Sequence, residues 1–385
     1  MTVRWEHRAD LAEQAVNERH ATRLWGLPRT NLAIIAWPPT TRDKVFLRWH
    51  YWWQAHYLDN QVDAAQRRGT KARTQRILRT IRGIRIRNLS PLSKNSYYDD
   101  KAWLALAFER AQRLPEFKTI RGSRELSTNI MEGVDGLTGV LPWRSNENFY
   151  NVPTNGPAAL LAAREVQLEF SAHLVDWVFE NLIDGKGLVM DGLHMRMHGP
   201  QNATDTHSYC QGVMLGACTE LAKAQRKAEG VGPDEVSPVG ISSITRVHHL
   251  VDAVSTHMTN NHDVINWRTG GGDGGLFNGI LMRYLALVAT DLPGASDATR
   301  QARSRARRIV LATAEAVWRS RLEVDGLPVF SADWERDAVL PQAGGLIGAT
   351  IAGAVASSDI AERDLSVQLS GWMAMEAAAK VTRSQ

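Results

Sequence analysis

Apolar side chains recur every three to four positions along most of the sequence. This spacing places them on one face of an amphipathic helix. Helices are predicted on this basis over residues 8–25, 42–66, 71–86, 100–114, 157–181, 209–228, 241–259, 276–290, 297–322 and 362–382. No series of alternating strands accompanies them, and the intervening stretches, such as 139–157 and 268–275, are rich in Gly, Asn and Pro. The pattern therefore predicts an all-α chain.

A weak internal repeat suggests how the helices are arranged. Seven positions after Trp177 comes Asp184-Gly185, and seven positions after Trp318 comes Asp325-Gly326, each followed by a short extended arm. An Asp-Gly pair between apolar runs is typical of a hairpin. Helix pairs that repeat with small hairpins at one end indicate a closed ring of helical hairpins. With about a dozen helices, the prediction is a single (α/α)6 toroid over residues 1–385, with functional loops at its mouth.

The composition fits a globular protein that binds flat or ring-shaped molecules. Hydrophobic residues make up 44% of the chain and charged residues 22%, while two cysteines exclude a disulfide framework. Thirteen tryptophans against seven tyrosines point to a groove for flat or ring-shaped molecules, because indoles stack on such ligands as well as filling cores.

Two segments bear on location. Charges at Arg4, Glu6, Arg8 and Asp10 exclude the apolar core of a signal peptide, so a cytoplasmic protein is expected, with peripheral membrane association or non-standard export left open. Residues 338–358 carry no charge and have the length of a membrane span, but their Pro, Gln and Gly content favours a buried helix of a soluble protein.

Two adjacent carboxylates, Asp99 and Asp100, open a predicted helix. One interpretation is helix capping, since acidic side chains favour the positive end of the helix dipole. The other is glycoside hydrolysis, which uses two carboxyl groups flanking the bond. Neighbouring helix residues point about 100° apart, so the carboxyls can diverge around a sugar linkage. Their like charge would raise one pKa and leave an acid beside an ionised nucleophile.

At this motif the sequence resembles a known family. YYDDKAWLALA (97–107) looks like the signature of glycoside hydrolase family 76, the endo-α-1,6-mannanases. Further similar segments follow the family order, at YWWQAHYLD (51–59), GVLPWR (139–144), NVPTNG (151–156), YCQG (209–212) and FNGILMRYL (277–285). Cys210 stands where the family usually has Asn, and Asn278 where it usually has Lys. The resemblance runs from about residue 45 to 335.

The resemblance implies an (α/α)6 fold and a retaining mechanism that needs no cofactor and no metal. Asp99 would be the nucleophile and Asp100 the general acid/base. The expected sugar contacts are Tyr98, Trp143, Arg144, Asn155, Asp191, Tyr209 and Gln211. Structural roles remain open as alternatives: a loop anchor for Trp143, a turn residue for Asn155 and a hairpin position for Asp191.

Other motifs give weaker signals. Gly270, Gly272 and Gly275 have the dinucleotide-binding spacing, but no strand precedes them, and a flexible cleft loop explains them better. His194, His198 and His207 would suggest a metal, but Met and Pro between them favour a loop over a ligand helix.

The basic run over residues 67–87 contains nine Lys or Arg residues and no acid. It is either a solvated helix face balanced by acids elsewhere or an anion-binding surface. We expect contact with an anionic membrane or glycolipid and no nucleic acid.

The predicted function is therefore hydrolysis of internal α-1,6-mannosidic bonds in α-mannan or a mannan-containing glycolipid, by double displacement. Two alternatives stay open. One is another (α/α)6 carbohydrate enzyme, such as an epimerase or an unsaturated-uronyl hydrolase. The other is a non-catalytic relative that binds glycans or anions.

Overall fold

The computed structural model describes residues 2–232, 234–342, 348–351 and 353–384. Within these residues, twelve helices of two turns or more follow one another along the chain. They are α1 (Thr2–His20), α2 (Tyr51–Arg67), α3 (Lys71–Asn88), α4 (Tyr98–Gln112), α5 (Ser123–Met131), α6 (Val152–Arg164), α7 (Leu168–Asn181), α8 (Ser208–Ala228), α9 (Ile241–His257), α10 (Phe277–Asp291), α11 (Asp297–Arg319) and α12 (Leu365–Arg383). One-turn helical segments lie at Leu24–Gly26, Thr41–Lys44, Leu92–Lys94, Gly272–Leu276 and Ala361–Arg363.

The even-numbered helices form a closed inner ring. Each packs against the next even-numbered helix, from α2 through α12, and α12 packs back on α2. The odd-numbered helices lie outside this ring. Each packs against one or two inner helices, and α9 also packs against α11. The inner helices α8 and α12 are apolar over most of their surface and almost wholly buried, as a helix between two layers requires. The structure is an (α/α)6 toroid, which confirms the predicted fold class.

Short antiparallel strands connect the helices at one end of the ring. The largest sheet joins β3 (Phe149–Asn151), β4 (Met190–Arg196) and β5 (Gly199–Thr206) in that order. Three two-stranded pairs are β1 (Ala21–Thr22) with β2 (Leu32–Ala33), β6 (Leu322–Val324) with β7 (Leu327–Val329), and β8 (Thr350–Ile351) with β9 (Ala354–Val355). Asp325 and Gly326, with φ of 53° and 73°, form the predicted turn between β6 and β7.

A buried amide at the fourth position of four inner helices ties these connections to the ring. The residues are Gln54, Asn155, Gln211 and Gln368. Each side chain accepts from one backbone N–H of a segment outside its own helix and donates to the carbonyl of the same residue: Ala33 for Gln54, Leu141 for Asn155, Val189 for Gln211 and Phe330 for Gln368. Because buried backbone groups must be paired, these amides fix the loops at the mouth.

Apart from shifts of helix ends, the structure differs from the predicted elements in four places. The helix predicted over 42–66 is a one-turn segment, Thr41–Lys44, followed after a gap by α2. The helix predicted over 157–181 is two helices, α6 and α7, separated by a turn in which Val166 has φ of 63°. Helix α5 was not predicted, because its nine residues are mostly polar. The described part of residues 338–358 is not helical but carries the β8–β9 hairpin, and residues 343–347 and 352 lie outside the described residues. None of the described helices combines the length and apolar character needed to cross a membrane.

A buried ion cluster joins the inner helices in the middle of the ring. Arg283 of α10 pairs with Asp59 at 2.8 Å and with Asp63 at 2.6 Å, both from α2. Arg110 of α4 pairs with the same two carboxylates. Burial alone would raise the pKa of Asp63, but the two guanidinium groups outweigh it and hold this pKa at about 2.

Replacing Arg283 with Met should lower the free energy of unfolding by about 3–5 kcal/mol, because one of two buried counter-charges is removed while both carboxylates remain. Urea unfolding at neutral pH measures this loss. The destabilisation should shrink as the pH falls from about 4 toward 2, where Asp63 becomes protonated. A loss below 1 kcal/mol would mean that the cluster is of little importance for stability.

Candidate active site

A cleft of about 670 Å³ opens where the first turns of the inner helices meet. Aromatic side chains make up much of its wall: Tyr51, Trp52, Tyr97, Trp103, Trp143, Phe149, Tyr209 and Phe277. The β8–β9 hairpin and the glycine loop around Asp273 complete the rim. Apolar ring faces alongside buried carboxylates are suited to sugars, which present both C–H faces and hydroxyl groups.

Asp99 lies in the first turn of α4 and faces the cleft. The backbone N–H of Tyr98 donates to the carbonyl of Trp143 at 3.0 Å, which fixes the start of α4 against the loop that carries Trp143. The Trp143 Nε1–H donates to Asp99 Oδ2 at 2.8 Å, and the backbone N–H of Asp100 donates to Asp99 Oδ1 at 2.8 Å. Burial raises the pKa of Asp99 to about 7, and these two donors oppose the rise.

Asp100 has a poorer set of donors. The Asn95 side-chain amide donates to its Oδ2 at 2.9 Å. Burial and the neighbouring charge of Asp99 together raise the pKa of Asp100 well above its usual range. Because Asp99 has the better donors, it ionises first, and the proton that the pair retains lies on Asp100. This division provides an acid and an ionised carboxylate side by side.

The Trp143 hydrogen bond predicts a measurable pH effect. Because it favours the ionised form of Asp99, Trp143→Phe should raise the pKa of Asp99. The acid limb of the kcat/KM profile should then move up by about one to two units, given roughly 1.5–3 kcal/mol for a hydrogen bond to a charged group. The matched control is Trp103→Phe, which changes the same wall without touching the hydrogen bonds of Asp99. Identical acid limbs in the two variants would contradict the assignment.

Asp191 and Tyr209 also line the cleft. Asp191 lies on β4, and burial followed by the charges of Asp205 and Asp99 raises its pKa to about 7. Tyr209 opens α8 and stacks on Phe277, with ring centroids 4.1 Å apart and planes at 22°. Of the sequence-predicted site residues, the structure brings together Asp99, Asp100, Trp143, Asp191 and Tyr209.

Asp273 is a fourth carboxylate in the cleft, and the sequence analysis missed it. Its Oδ1 accepts from Trp52 Nε1 and Trp53 Nε1, both at 2.8 Å, and its Oδ2 accepts from the backbone N–H of Val355 at 2.6 Å. It thereby links two indoles of α2 to the β8–β9 hairpin. The glycine run around it explains the close packing: a Cβ at Gly272 would lie 2.1 Å from the carbonyl oxygen of Val355.

Two predicted sugar contacts, Asn155 and Gln211, are corrected by the structure. Both are fully buried and do not line the cleft. The Asn155 amide donates to the carbonyls of Leu141 and Asn151, both at 2.9 Å. The Gln211 amide likewise donates to the carbonyls of Val189 and His207. They position the segments that carry Trp143 and Asp191 and do not face the cleft.

Two others, Tyr98 and Arg144, lie away from the cleft. The Tyr98 ring packs over Lys101, whose Nζ is 3.5 Å from the ring centroid, and Tyr97 lines the cleft instead. Arg144 pairs with Glu147 and donates to the Tyr97 hydroxyl at 3.4 Å. Side chains of successive residues point in different directions. At the start of α4, therefore, Tyr97 lines the cleft and Tyr98 does not, and in the neighbouring loop Trp143 lines it and Arg144 does not.

Two of the three histidines weighed as metal ligands, His194 and His207, are engaged with aromatic rings. His194 stacks on Phe149 at 4.2 Å between centroids, and His207 packs against Phe277 at 5.2 Å. Among the residues that the structure describes, no group of three His, Cys, Asp or Glu side chains is placed to hold a metal ion.

Comparison with known proteins gives a consistent family assignment. The profile described as Glycosyl hydrolase family 76 matches residues 34–344. No curated protein matches the chain significantly.

Several solved structures share the fold. The α-1,6-mannanase from Salegentibacter sp. HEL1_6 is 24% identical with a TM-score of 0.76, covering 98% of this chain and 99% of its own. An inactive variant of that mannanase, with two consecutive aspartates replaced by asparagine, was solved with α-1,6-mannotriose; it is 23% identical, with the same TM-score and coverage. The Lin0763 protein from Listeria innocua is 21% identical with a TM-score of 0.77, covering 99% and 98%.

Proposed function

The chain belongs to glycosyl hydrolase family 76, and we propose that its cleft hydrolyses internal α-1,6-mannosidic bonds with retention of configuration. The observation that carries this proposal is the Asp99–Asp100 pair, whose unequal donor sets favour ionisation of Asp99 and retention of the proton on Asp100. The pair sits among aromatic rings in a cleft at the mouth of the toroid. The geometry thus supplies the two carboxyl roles that glycoside hydrolysis needs.

In the first step, Asp99 attacks the anomeric carbon of a bound mannose. A bond forms between that carbon and a carboxylate oxygen of Asp99 while the bond to the glycosidic oxygen breaks. Asp100 transfers its proton to the departing oxygen, which leaves as the 6-hydroxyl of the next mannose. Trp143 steadies the Asp99 carboxylate through its Nε1 hydrogen bond at 2.8 Å.

In the second step, Asp100 has become a carboxylate and acts as a base. It accepts a proton from water as the water oxygen bonds to the anomeric carbon and the ester bond to Asp99 breaks. The pair returns to its starting protonation, and mannose keeps its α configuration after two inversions. The raised pKa of Asp100 suits both roles, because it keeps the group protonated for the first step and makes its carboxylate a stronger base in the second.

The remaining cleft residues provide binding for sugar rings. Trp143 on one side and the stacked Tyr209–Phe277 pair on another offer faces on which pyranose rings stack. Asp191, whose pKa of about 7 allows both protonation states near neutral pH, can exchange hydrogen bonds with hydroxyl groups in either state. Asp273 holds Trp52 in place and thus positions a further aromatic surface.

The solved relatives support the substrate class. The mannanase from Salegentibacter sp. HEL1_6 acts on α-1,6-linked mannan, as its name states, and the variant that lacks two consecutive aspartates is inactive. Asp99 and Asp100 are likewise consecutive aspartates, and both line the cleft of this chain.

Incubation with linear α-1,6-mannan, with products resolved by size over time, tests the proposal. We expect oligosaccharides of intermediate length to appear early, as internal cleavage requires. α-1,2- and α-1,3-linked mannans serve as controls and should remain intact. Release of mannose alone would replace internal cleavage with cleavage from an end, and no products from any mannan would contradict the proposal.

A further inference from the structure

One flank of the toroid combines outer helix α3 with the loop formed by residues 23–31. The backbone N–H of Asn31 donates to the carbonyl of Arg79 at 3.0 Å, and its side chain donates to Thr80 Oγ1 at 2.8 Å. A Cβ at Gly83 would lie 2.3 Å from the carbonyl oxygen of Asn31. The absence of a side chain at Gly83 therefore lets the loop rest directly on the helix, and the two form one surface.

This surface carries arginines without acidic partners. They line two neighbouring depressions, the first with Arg23, Arg29, Arg76 and Arg79, and the second with Arg82, Arg85 and Arg121. Within the described parts of the chain, none of these seven guanidinium groups forms an ion pair with a carboxylate. Glu125, which lines the second depression, accepts a hydrogen bond from Ser93. Arg76 also borders a depression lined by acidic residues, of which Asp10 and Glu13 pair with Arg73.

The arginines in the first part of the basic run do have acidic partners. Arg67 pairs with Asp10 at 2.7 Å and with Glu376 at 2.9 Å, and Arg73 pairs with Asp10 at 2.7 Å. The interpretation of a basic run balanced by acids elsewhere therefore describes Arg67, Arg68 and Arg73. Among the described residues, the arginines from Arg76 onward are not neutralised by a carboxylate.

Another outer helix shows that a high density of arginine does not by itself leave arginines without acidic partners. Helix α11 is also rich in arginine, but Arg300, Arg305 and Arg308 each pair with an aspartate, Asp297, Asp252 and Asp263 respectively. Like charges that lack partners repel one another across a surface. The seven unpaired arginines thus form a surface that an anionic partner would stabilise.

Exposed apolar side chains lie on the same flank. Of the fifteen exposed large hydrophobic residues among those described, six belong to it: Trp25, Leu27, Val45, Leu47, Leu78 and Leu89. Leu47 is 67% exposed and Leu89 is 77% exposed. Trp25 Nε1 donates to the carbonyl of Val45 at 2.9 Å, and Arg87 at the end of α3 donates to the carbonyl of Phe46 at 2.9 Å. These bonds join the segment around residues 45–47 to the loop and to the helix.

We propose that this arginine flank, formed by residues 23–31, 45–47 and 76–89 with Arg121, docks on the surface of an anionic phospholipid bilayer. Guanidinium groups bind phosphate oxygens with two parallel hydrogen bonds. Tryptophan and leucine enter the interface between headgroups and acyl chains. A nucleic acid would account for the arginines but gives no role to the exposed leucines.

The flank lies beside the mouth of the cleft. Val45 and Leu47 precede Tyr51 and Trp52, which line the cleft, by only a few residues. Docking through this flank therefore places the cleft next to the lipid surface, where glycans attached to the membrane would be within reach. The proposal concerns binding only, and it holds or fails whether or not the cleft hydrolyses mannan.

Co-sedimentation with vesicles tests this proposal. The full chain should bind vesicles of phosphatidylcholine mixed with phosphatidylglycerol and should not bind vesicles of phosphatidylcholine alone. Raising the salt from about 50 to 200 mM should weaken the binding, because it screens charges near the surface. Binding that is equal for both lipids, or absent from both, would overturn the proposal.

Three variants separate the contributions. The triple replacement Arg76→Ala, Arg79→Ala and Arg82→Ala should lower the partition coefficient at least about tenfold. The matched control Arg300→Ala, Arg305→Ala and Arg308→Ala removes the same charge from α11 and should bind as the wild type does. Leu47→Ser with Leu89→Ser should weaken binding by a factor that does not depend on salt.

Melting temperatures and hydrolysis of a soluble mannooligosaccharide verify that each variant is folded. Equal losses in the two arginine variants would show that only net charge matters and would overturn the proposed surface. Binding of duplex DNA that depends on Arg76, Arg79 and Arg82, together with no vesicle binding, would assign the surface to nucleic acid instead.

Discussion

Replacing Asp99 with Asn is expected to lower kcat for hydrolysis of α-1,6-mannotetraose by at least about 10⁴-fold, because the covalent route is lost with its nucleophile. Two N–H donors reach the Asp99 carboxylate, from Trp143 and from the backbone of Asp100, each at 2.8 Å. An asparagine retains the shape of this side chain but cannot form the ester with the anomeric carbon. Binding of the oligosaccharide should therefore survive while turnover does not.

The fold should tolerate this change. The pKa of Asp99 is raised to about 7, above the value of about 3.9 for an exposed aspartate. Ionisation of Asp99 therefore destabilises the folded state as the pH rises through this range, and neutral asparagine avoids that cost. The melting temperature of Asp99→Asn at pH 7 should equal or exceed that of the wild type. Asp325→Asn, in an exposed turn where asparagine is equally suited, is the matched control and should retain full activity.

Replacing Asp100 with Asn should lower kcat about 10²–10⁴-fold for natural oligosaccharides, since general acid catalysis contributes on this scale. The loss should depend on the leaving group. An aryl α-mannoside whose phenol departs without protonation should still form the covalent intermediate with Asp99. Its first turnover should proceed quickly, and release of mannose should then be slow, because Asp100 no longer activates water.

Small anions distinguish the two aspartates. Azide attacks the covalent intermediate without needing a base, so added azide should restore turnover of the aryl mannoside by Asp100→Asn and yield mannosyl azide. It should not restore turnover by Asp99→Asn through this intermediate, because none forms. If azide restored turnover by Asp99→Asn and gave the α-linked product, the two roles would have to be exchanged. If both variants depended on the leaving group to the same extent, the assignment of roles would be contradicted.

Much of the fold follows from local sequence features. The spacing of apolar residues predicts most of the twelve long helices, because inner and outer helices alike bury at least one face. The Asp325-Gly326 turn is predicted by its residue types alone. The break between α6 and α7 escapes such reasoning, since it depends on Val166 adopting φ of 63°, which a β-branched residue rarely does.

Two features of the site depend on contacts distant in sequence. Asp273 is a conspicuous cleft residue only because its loop approaches Val355 and the indoles of Trp52 and Trp53. Nothing in its neighbourhood of glycines indicates this. The roles of Asn155 and Gln211 could not be predicted for a similar reason. Their polar side chains look suited to sugars until their backbone partners are known. The repeated amide at the fourth position of an inner helix is a signal that could have assigned them structural roles.

The basic run illustrates how a sequence leaves two interpretations open. Its first arginines are neutralised by Asp10 and Glu376, from helices at opposite ends of the chain. The later ones are not, and they share their surface with exposed tryptophan and leucine. The paired and unpaired arginines are distinguished only by which elements of the fold lie beside each of them, and the sequence alone does not show this.

The most direct test of the proposed mechanism is the configuration of the first product. Proton NMR during hydrolysis of α-1,6-mannotetraose by the wild type resolves the α and β anomers of the new reducing end before they interconvert. Double displacement through Asp99 predicts that the α anomer appears first and the β anomer follows by mutarotation. Initial appearance of the β anomer would contradict a covalent intermediate on Asp99 and would require water to attack directly.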